Sequence, residues 1–113
     1  MKTRMFSISI VFFLLLSVGV FASQEKKETF KVYGNCDMCK KRIETAAMSV
    51  DGVISADWNK ETKMLDVTYD ESKTDLRKIH EAIANAGHDT DTVKAGDEAY
   101  DKLPACCKYE RKK

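Results

Sequence analysis

The 113-residue sequence predicts an α+β domain whose elements run β-α-β-β-α-β. Three observations carry this. Segments at residues 29–33, 54–58 and 65–69 alternate apolar with polar residues, the period of a half-buried strand. Two further segments repeat apolar residues at spacings of three and four, the period of an amphipathic helix. Both helical segments run into a glycine, Gly52 or Gly87, the residue that most readily closes a helix.

In the first strand Phe30 and Val32 face one way and Lys31 and Tyr33 the other, and Gly34-Asn35 break it. Residues 23–28 ahead of it are polar and are expected to form a flexible N-terminal segment. Asp37 is the expected cap of the first helix, which buries Ile43, Ala46, Ala47 and Val50 and turns Lys40, Lys41, Arg42 and Glu44 to water. Ile54, Ala56 and Trp58 share one face of the second strand. After a turn at residues 59–62, Leu65, Val67 and Tyr69 share a face of the third, which makes a hairpin. Thr74 or Asp75 caps a second helix with the stripe Leu76, Ile79, Ile83 and Ala86, leaving His80 on the exposed side. A weaker fourth strand is expected at residues 88–93. The order is that of the ferredoxin-like split unit, a four-stranded antiparallel sheet with both helices on one face and the other face wet.

Charged residues make up 33% of the chain, yet none falls between residues 5 and 22. Lys2 and Arg4 precede this apolar run, and Val20-Phe21-Ala22 followed by Ser23 ends it, so residues 1–22 read as a secretory signal peptide. The run is shorter than the roughly 20 residues that span a bilayer comfortably. Export, to the periplasm, is the expectation. Without Lys2 and Arg4 the net charge moves from +1 to −1, which leaves no electrostatic footprint for nucleic acid or an acidic membrane. The remaining 91 residues bury one modest core. There is no carboxylate pair at catalytic spacing, no hydroxyl with a base partner and no phosphate loop, so the sequence speaks against an enzyme.

All four cysteines lie in the exported part: Cys36, Cys39, Cys106 and Cys107. An even count in an exported chain makes disulfides the first reading. Two tight pairs about 70 residues apart suit metal ligation or dithiol chemistry better than cross-linking. Cys36-Asp37-Met38-Cys39 sits where the first strand gives way to the first helix, so both sulfurs can face one ion. The N–H groups and partial positive charge of a helix start favour thiolate over thiol. Soft thiolates select Cu(I), and also Zn(II) or Hg(II), over Mg(II) or Ca(II). Two ligands leave the site open, unlike a four-ligand structural zinc site. The same spacing also serves redox pairs and plain disulfides. A thiol redox or disulfide-stabilised protein-interaction module is therefore the alternative.

Residues 29–94 resemble a heavy-metal-associated domain, the module of copper chaperones, copper-ATPase N-terminal domains and periplasmic mercury-binding proteins. The resemblance rests on Cys36-x-x-Cys39 opening a helix with Ile43 on its buried face, and on Gly52-Val53 thirteen residues after Cys39. Val67-Thr68-Tyr69-Asp70 and the Leu76, Ile79, Ile83, Gly87 series complete it. It implies a metallochaperone that holds Cu(I), or alternatively Hg(II) or Zn(II), through Cys36 and Cys39. It further implies transfer to a metal-transporting membrane protein or another metal-binding domain. The chain departs from the family in reading Tyr33-Gly34-Asn35-Cys36 where Gly-Met-Thr-Cys is common. Met38, between the ligands, offers a thioether or is simply a loop residue. His88 stands where the family often has an aromatic, as a further ligand or as a ring filling that slot. Residues 95–113 form a tail outside the module, carrying Cys106-Cys107 together with Tyr100, Leu103 and Tyr109, which give it apolar material for docking. Cys106 and Cys107 are expected either to add ligands or to cross-link to Cys36 and Cys39.

Overall fold

A computed structural model describes residues 24–111; the signal peptide expected at residues 1–22 lies outside the described residues. The elements are β1 (Glu25–Lys31), α1 (Asp37–Met48), β2 (Val53–Trp58), β3 (Met64–Asp70), α2 (Leu76–Asn85), a short α3 (Asp97–Asp101) and a 3-10 turn (Ala105–Cys107). The sheet is antiparallel in the order β1-β3-β2. Leu65 of the central strand faces Phe30 on one side and Trp58 on the other, and all three are buried. Leu65, Val67 and Tyr69 join Ile43 and Ala47 of α1 and Ile79 and Ile83 of α2 in one core. None of the described helices is long and apolar enough to cross a membrane.

Four expectations about the elements are corrected. First, residues 25–28 are strand rather than flexible segment. β3 runs to Asp70, and its free edge pairs with Glu25–Lys31, Glu25 opposite Asp70. An edge strand needs backbone groups more than apolar side chains, so the polar run EKKE pairs readily. Second, among the described residues the sheet has three strands and not four. The expected fourth strand is reduced to one bridge, Val32 with Thr90. The Thr90 hydroxyl accepts from the N–H groups of Thr92 and Val93, and the Thr90 N–H donates to the Val93 carbonyl. Residues 90–93 thereby satisfy themselves in a local turn, the alternative that Thr side chains offer to a ladder.

Third, Ile54 does not share the buried face of β2. Val53 pairs with Tyr69 while Ser55 pairs with Thr68, so Ile54 is an extra residue in a bulge and is 48% exposed. A one-residue insertion reverses which face each side chain meets. Fourth, His80 is buried, not exposed. Its Nδ1 lies 2.6 Å from the Thr90 hydroxyl and 3.1 Å from that of Thr92, and its ring stacks on Phe30 at 3.8 Å. The buried arc of α2 is Ile79, His80, Ile83 and Ala84; Leu76 and Ala86 are only half-buried.

Asp75 caps α2 by accepting from the Lys78 N–H at 2.9 Å. The C-terminal segment folds back on the domain. Leu103, Cys107 and Tyr109 belong to the same buried core. The Tyr109 hydroxyl donates to the Gly87 carbonyl and accepts from the Asp89 N–H, both at 2.8 Å. Tyr100 donates to the Tyr109 carbonyl at 2.6 Å, and the Arg111 guanidinium reaches the Asp89 carboxylate at 3.0 Å and the Ala95 carbonyl at 2.6 Å. This docking is possible because Gly87 has φ 106° and no side chain. A Cβ there would stand 2.8 Å from the Ala99 carbonyl and 2.9 Å from Leu103.

Candidate metal centre

Cys36, not the expected Asp37, is the N-cap of α1, in an extended conformation with no side-chain cap bond. Its carbonyl accepts the first helical bond, from the Lys40 N–H at 3.0 Å. The first turn of the helix carries Cys39, so both sulfurs gather at the start of α1 with Sγ atoms 3.3 Å apart. The preceding loop lies tight against the helix. A Cβ on Gly34 would meet the Cys39 Cβ at 3.1 Å and the Ile43 and Trp58 side chains at 3.2 Å. Only the smallest residue brings Asn35 close enough for its N–H to reach the Cys39 sulfur at 3.4 Å.

The other end of the chain arrives at the same place. Pro104 introduces the 3-10 turn, and its carbonyl accepts from the Cys107 N–H at 2.8 Å. The turn sets the Cys107 sulfur 3.7 Å from Cys36 and 3.9 Å from Cys106. The sulfurs of Cys36, Cys106 and Cys107 all lie within 4.8 Å of one another. All four cysteines are free thiols. Cys39 and Cys107 are buried, Cys36 is half-buried and Cys106 is exposed. Met38 is exposed, with its thioether 3.8 Å from the Cys106 sulfur.

His88 is not part of this group. Its buried ring fills a slot beside Tyr109, 5.6 Å between centroids, with Nδ1 2.8 Å from the Tyr33 carbonyl. Nε2 is buried and has no partner among the described residues. Lys40 also serves elsewhere: it bonds Glu44, Asp57 and the Trp58 carbonyl, while Glu44 accepts from the Trp58 N–H. That set anchors α1 to β2 and leaves the sulfurs to the helix terminus. The sequence carries no signal for the anchor, and Tyr100, Leu103 and Tyr109 in the tail signal docking without the bonds that Tyr109 makes.

The four thiols are not equivalent. Burial pushes Cys36 up, but the Cys39 N–H and the thiols of Cys39, Cys106 and Cys107 all bond its sulfur and together bring it down to about 7. Burial raises Cys107, and its bonds toward Cys39 and Cys36 raise it further. The bond to Cys36 also raises Cys106. Cys36 therefore ionises before Cys106 and Cys107, whose S–H groups stand beside it. A nucleophilic, partly exposed thiolate with thiol neighbours can take up a soft cation or exchange with another thiol.

The sequence pattern of the heavy-metal-associated domain matches residues 29–89. The chain belongs to the heavy-metal-associated domain family. The copper chaperone CopZ of Staphylococcus aureus is 39% identical over 64 residues, which are 56% of this chain and 94% of that protein. The crystal structure of oxidized MerP from Ralstonia metallidurans CH34 matches at 33% identity, with a TM-score of 0.56 over 58% of this chain and 93% of that one. A copper-binding domain from HMA7, a P-type ATPase, matches at 30% identity, with a TM-score of 0.56 over 57% and 89% of the two chains. The first and third of these relatives are named as a copper chaperone and a copper-binding domain, and the chain is a metal-binding domain of that kind and not an enzyme. Cys106 and Cys107 lie beyond the matched residues.

Proposed function

We propose that the chain is an exported carrier of a soft metal ion, with Cu(I) as its principal cargo and Cys36 and Cys39 as the ligands through which cargo enters and leaves. The observation that carries this reading is the pair of sulfurs 3.3 Å apart at the start of α1, one of them ionising near neutrality. Thiolates bind Cu(I) in preference to hard cations, and a pair with an exposed side permits associative exchange with an incoming thiolate. The kinship with a copper chaperone supports Cu(I) first, with Hg(II) and Zn(II) as other cargoes. The kinship with a P-type ATPase domain supports a metal-transporting membrane protein, or another metal-binding domain, as the partner in exchange. The charge pattern of residues 1–22 supports delivery or sequestration in the periplasm.

Anaerobic Cu(I) titration against a chromophoric chelator tests the assignment, with the full chain compared with Cys36→Ser and with Cys36→Ser/Cys39→Ser. Cys39 belongs to the buried core, so far-UV circular dichroism must accompany the double variant. Cys36 is half-buried at the edge of that core, and Ser is close to it in size and suits its N-cap position. Both variants should lose tight Cu(I) binding. Stoichiometric binding retained by a folded double variant would overturn the assignment.

A further inference from the structure

The family pair is not the best-formed set of sulfurs in the molecule. A soft ion held about 2.3 Å from each of two thiolates in a line needs them about 4.6 Å apart. Cys36 and Cys39 stand 3.3 Å apart, so they must open by more than an ångström to hold an ion alone. An ion at the same bond length among three thiolates needs sulfurs about 4.0 Å apart in a plane, or about 3.8 Å on a tetrahedral face. Cys36 and Cys107 are 3.7 Å apart, Cys107 and Cys106 are 3.9 Å apart, and the three lie within 4.8 Å of one another. Two sides of that triangle already match to within a few tenths of an ångström, and the third, Cys36 to Cys106, has at most about an ångström to close.

We propose that Cys36, Cys106 and Cys107 form a three-thiolate site for a soft cation, with Cys36 shared between this site and the family pair. The proposal rests on the reading of Cys36 and Cys39 as the entry pair, and deepens it. An ion arriving at Cys36 and Cys39 exchanges Cys39 for the two tail thiols, each of which gives up its proton to solvent as it ligates. Preorganisation favours the second state. Cys107 is buried and belongs to the core, and the Tyr109 latch two residues later holds the turn that presents it. Ordering the tail therefore costs nothing at the moment of binding. Cys106 is exposed, which leaves the ion open to an incoming thiolate on that side. The tail thus converts an open carrier into a retaining one, and a partner must displace two tail thiolates to remove the ion.

The test uses the full reduced chain loaded with one equivalent of Cu(I), read by X-ray absorption and by chelator competition. Cys106→Ser is the decisive variant, because Cys106 is exposed and its replacement leaves the core untouched. Cys106→Ser/Cys107→Ser is the second. The native protein should show three sulfurs around copper, and both variants two, with Cu(I) affinity at least tenfold lower. Two sulfurs in the native protein with unchanged affinity in Cys106→Ser would overturn the three-thiolate site and leave the Cys36–Cys39 assignment standing. Absence of tight Cu(I) binding by the native chain would overturn both.

Discussion

His80 and His88 each fill a space that chemistry elsewhere in the chain has prepared. Burial lowers the pKa of both rings. For His80 the nearby Asp91 carboxylate works against this. For His88 the Tyr33 carbonyl and Asp89 oppose it, and Arg42 adds to it. A buried neutral imidazole with a depressed folded-state pKa binds fewer protons than the same residue in the unfolded chain. Its stabilising contribution is complete above the unfolded value of about 6.5 and falls as the pH drops from there toward the folded value. The urea midpoint of the reduced, metal-free protein should therefore decrease between pH 7 and pH 5. Asp70, whose pKa is lowered chiefly by bonds from Ser72, contributes its loss further into acid, and the loss from Cys36, brought down to about 7, falls mostly above pH 7, so the window belongs chiefly to the histidines. A flat or rising midpoint over that window would contradict this account of the two rings. His80 is not legible as a buried residue because its partners, Thr90 and Thr92, lie ten and twelve positions away in a turn whose residues have the pattern of a weak strand. Cys36 and Cys39 were legible because a short spacing at a helix start is a local property.

At the scale of elements, alternation and helical period were enough to find α1, α2, β2 and β3, because each buries one face and shows the other to water. What they could not find was anything decided by a partner. The bulge at Ile54 exists because β2 and β3 fall out of step between Val53 and Ser55, and no residue in that stretch announces it. The extension of β1 depends on the free edge of β3. The bulge gives a sharp contrast in cost. Replacing Ile54 by Thr removes a side chain that is 48% exposed and should change stability by less than about 0.5 kcal/mol. Replacing Leu65 by Ala empties a site between Phe30 and Trp58 and should cost about 2–5 kcal/mol. Chemical denaturation of the two variants checks the pair of values. A cost above about 1.5 kcal/mol for Ile54→Thr would mean that the side chain is packed and the bulge misplaced.

For the whole molecule, the informative feature is that the C-terminal tail returns to the loop where the sulfurs of Cys36 and Cys39 lie. The tail is tied down by Tyr109 to Gly87 and Asp89, by Arg111 to Asp89 and by Leu103 in the core. Each tie is made by a residue whose partner is distant in sequence, so the sequence alone left open whether the tail docks, cross-links or adds ligands. The free thiols and their distances give the tail a geometry that the family resemblance did not contain, since the match to the family ends at residue 89.

Metal-dependent protection of the thiols tests the central claim most directly. The reduced full-length protein is treated with a thiol-alkylating reagent at pH 7, with and without one equivalent of Cu(I), and the modification of each cysteine is followed by mass spectrometry of its peptides. Without metal, Cys36 should be modified first, as the thiol whose ionisation falls to about pH 7. With Cu(I), modification of Cys36 should slow at least tenfold, since it is the ligand common to both sulfur sets. Unchanged modification of Cys36 with the ion demonstrably bound would contradict the account, because the metal would then reside somewhere other than the start of α1.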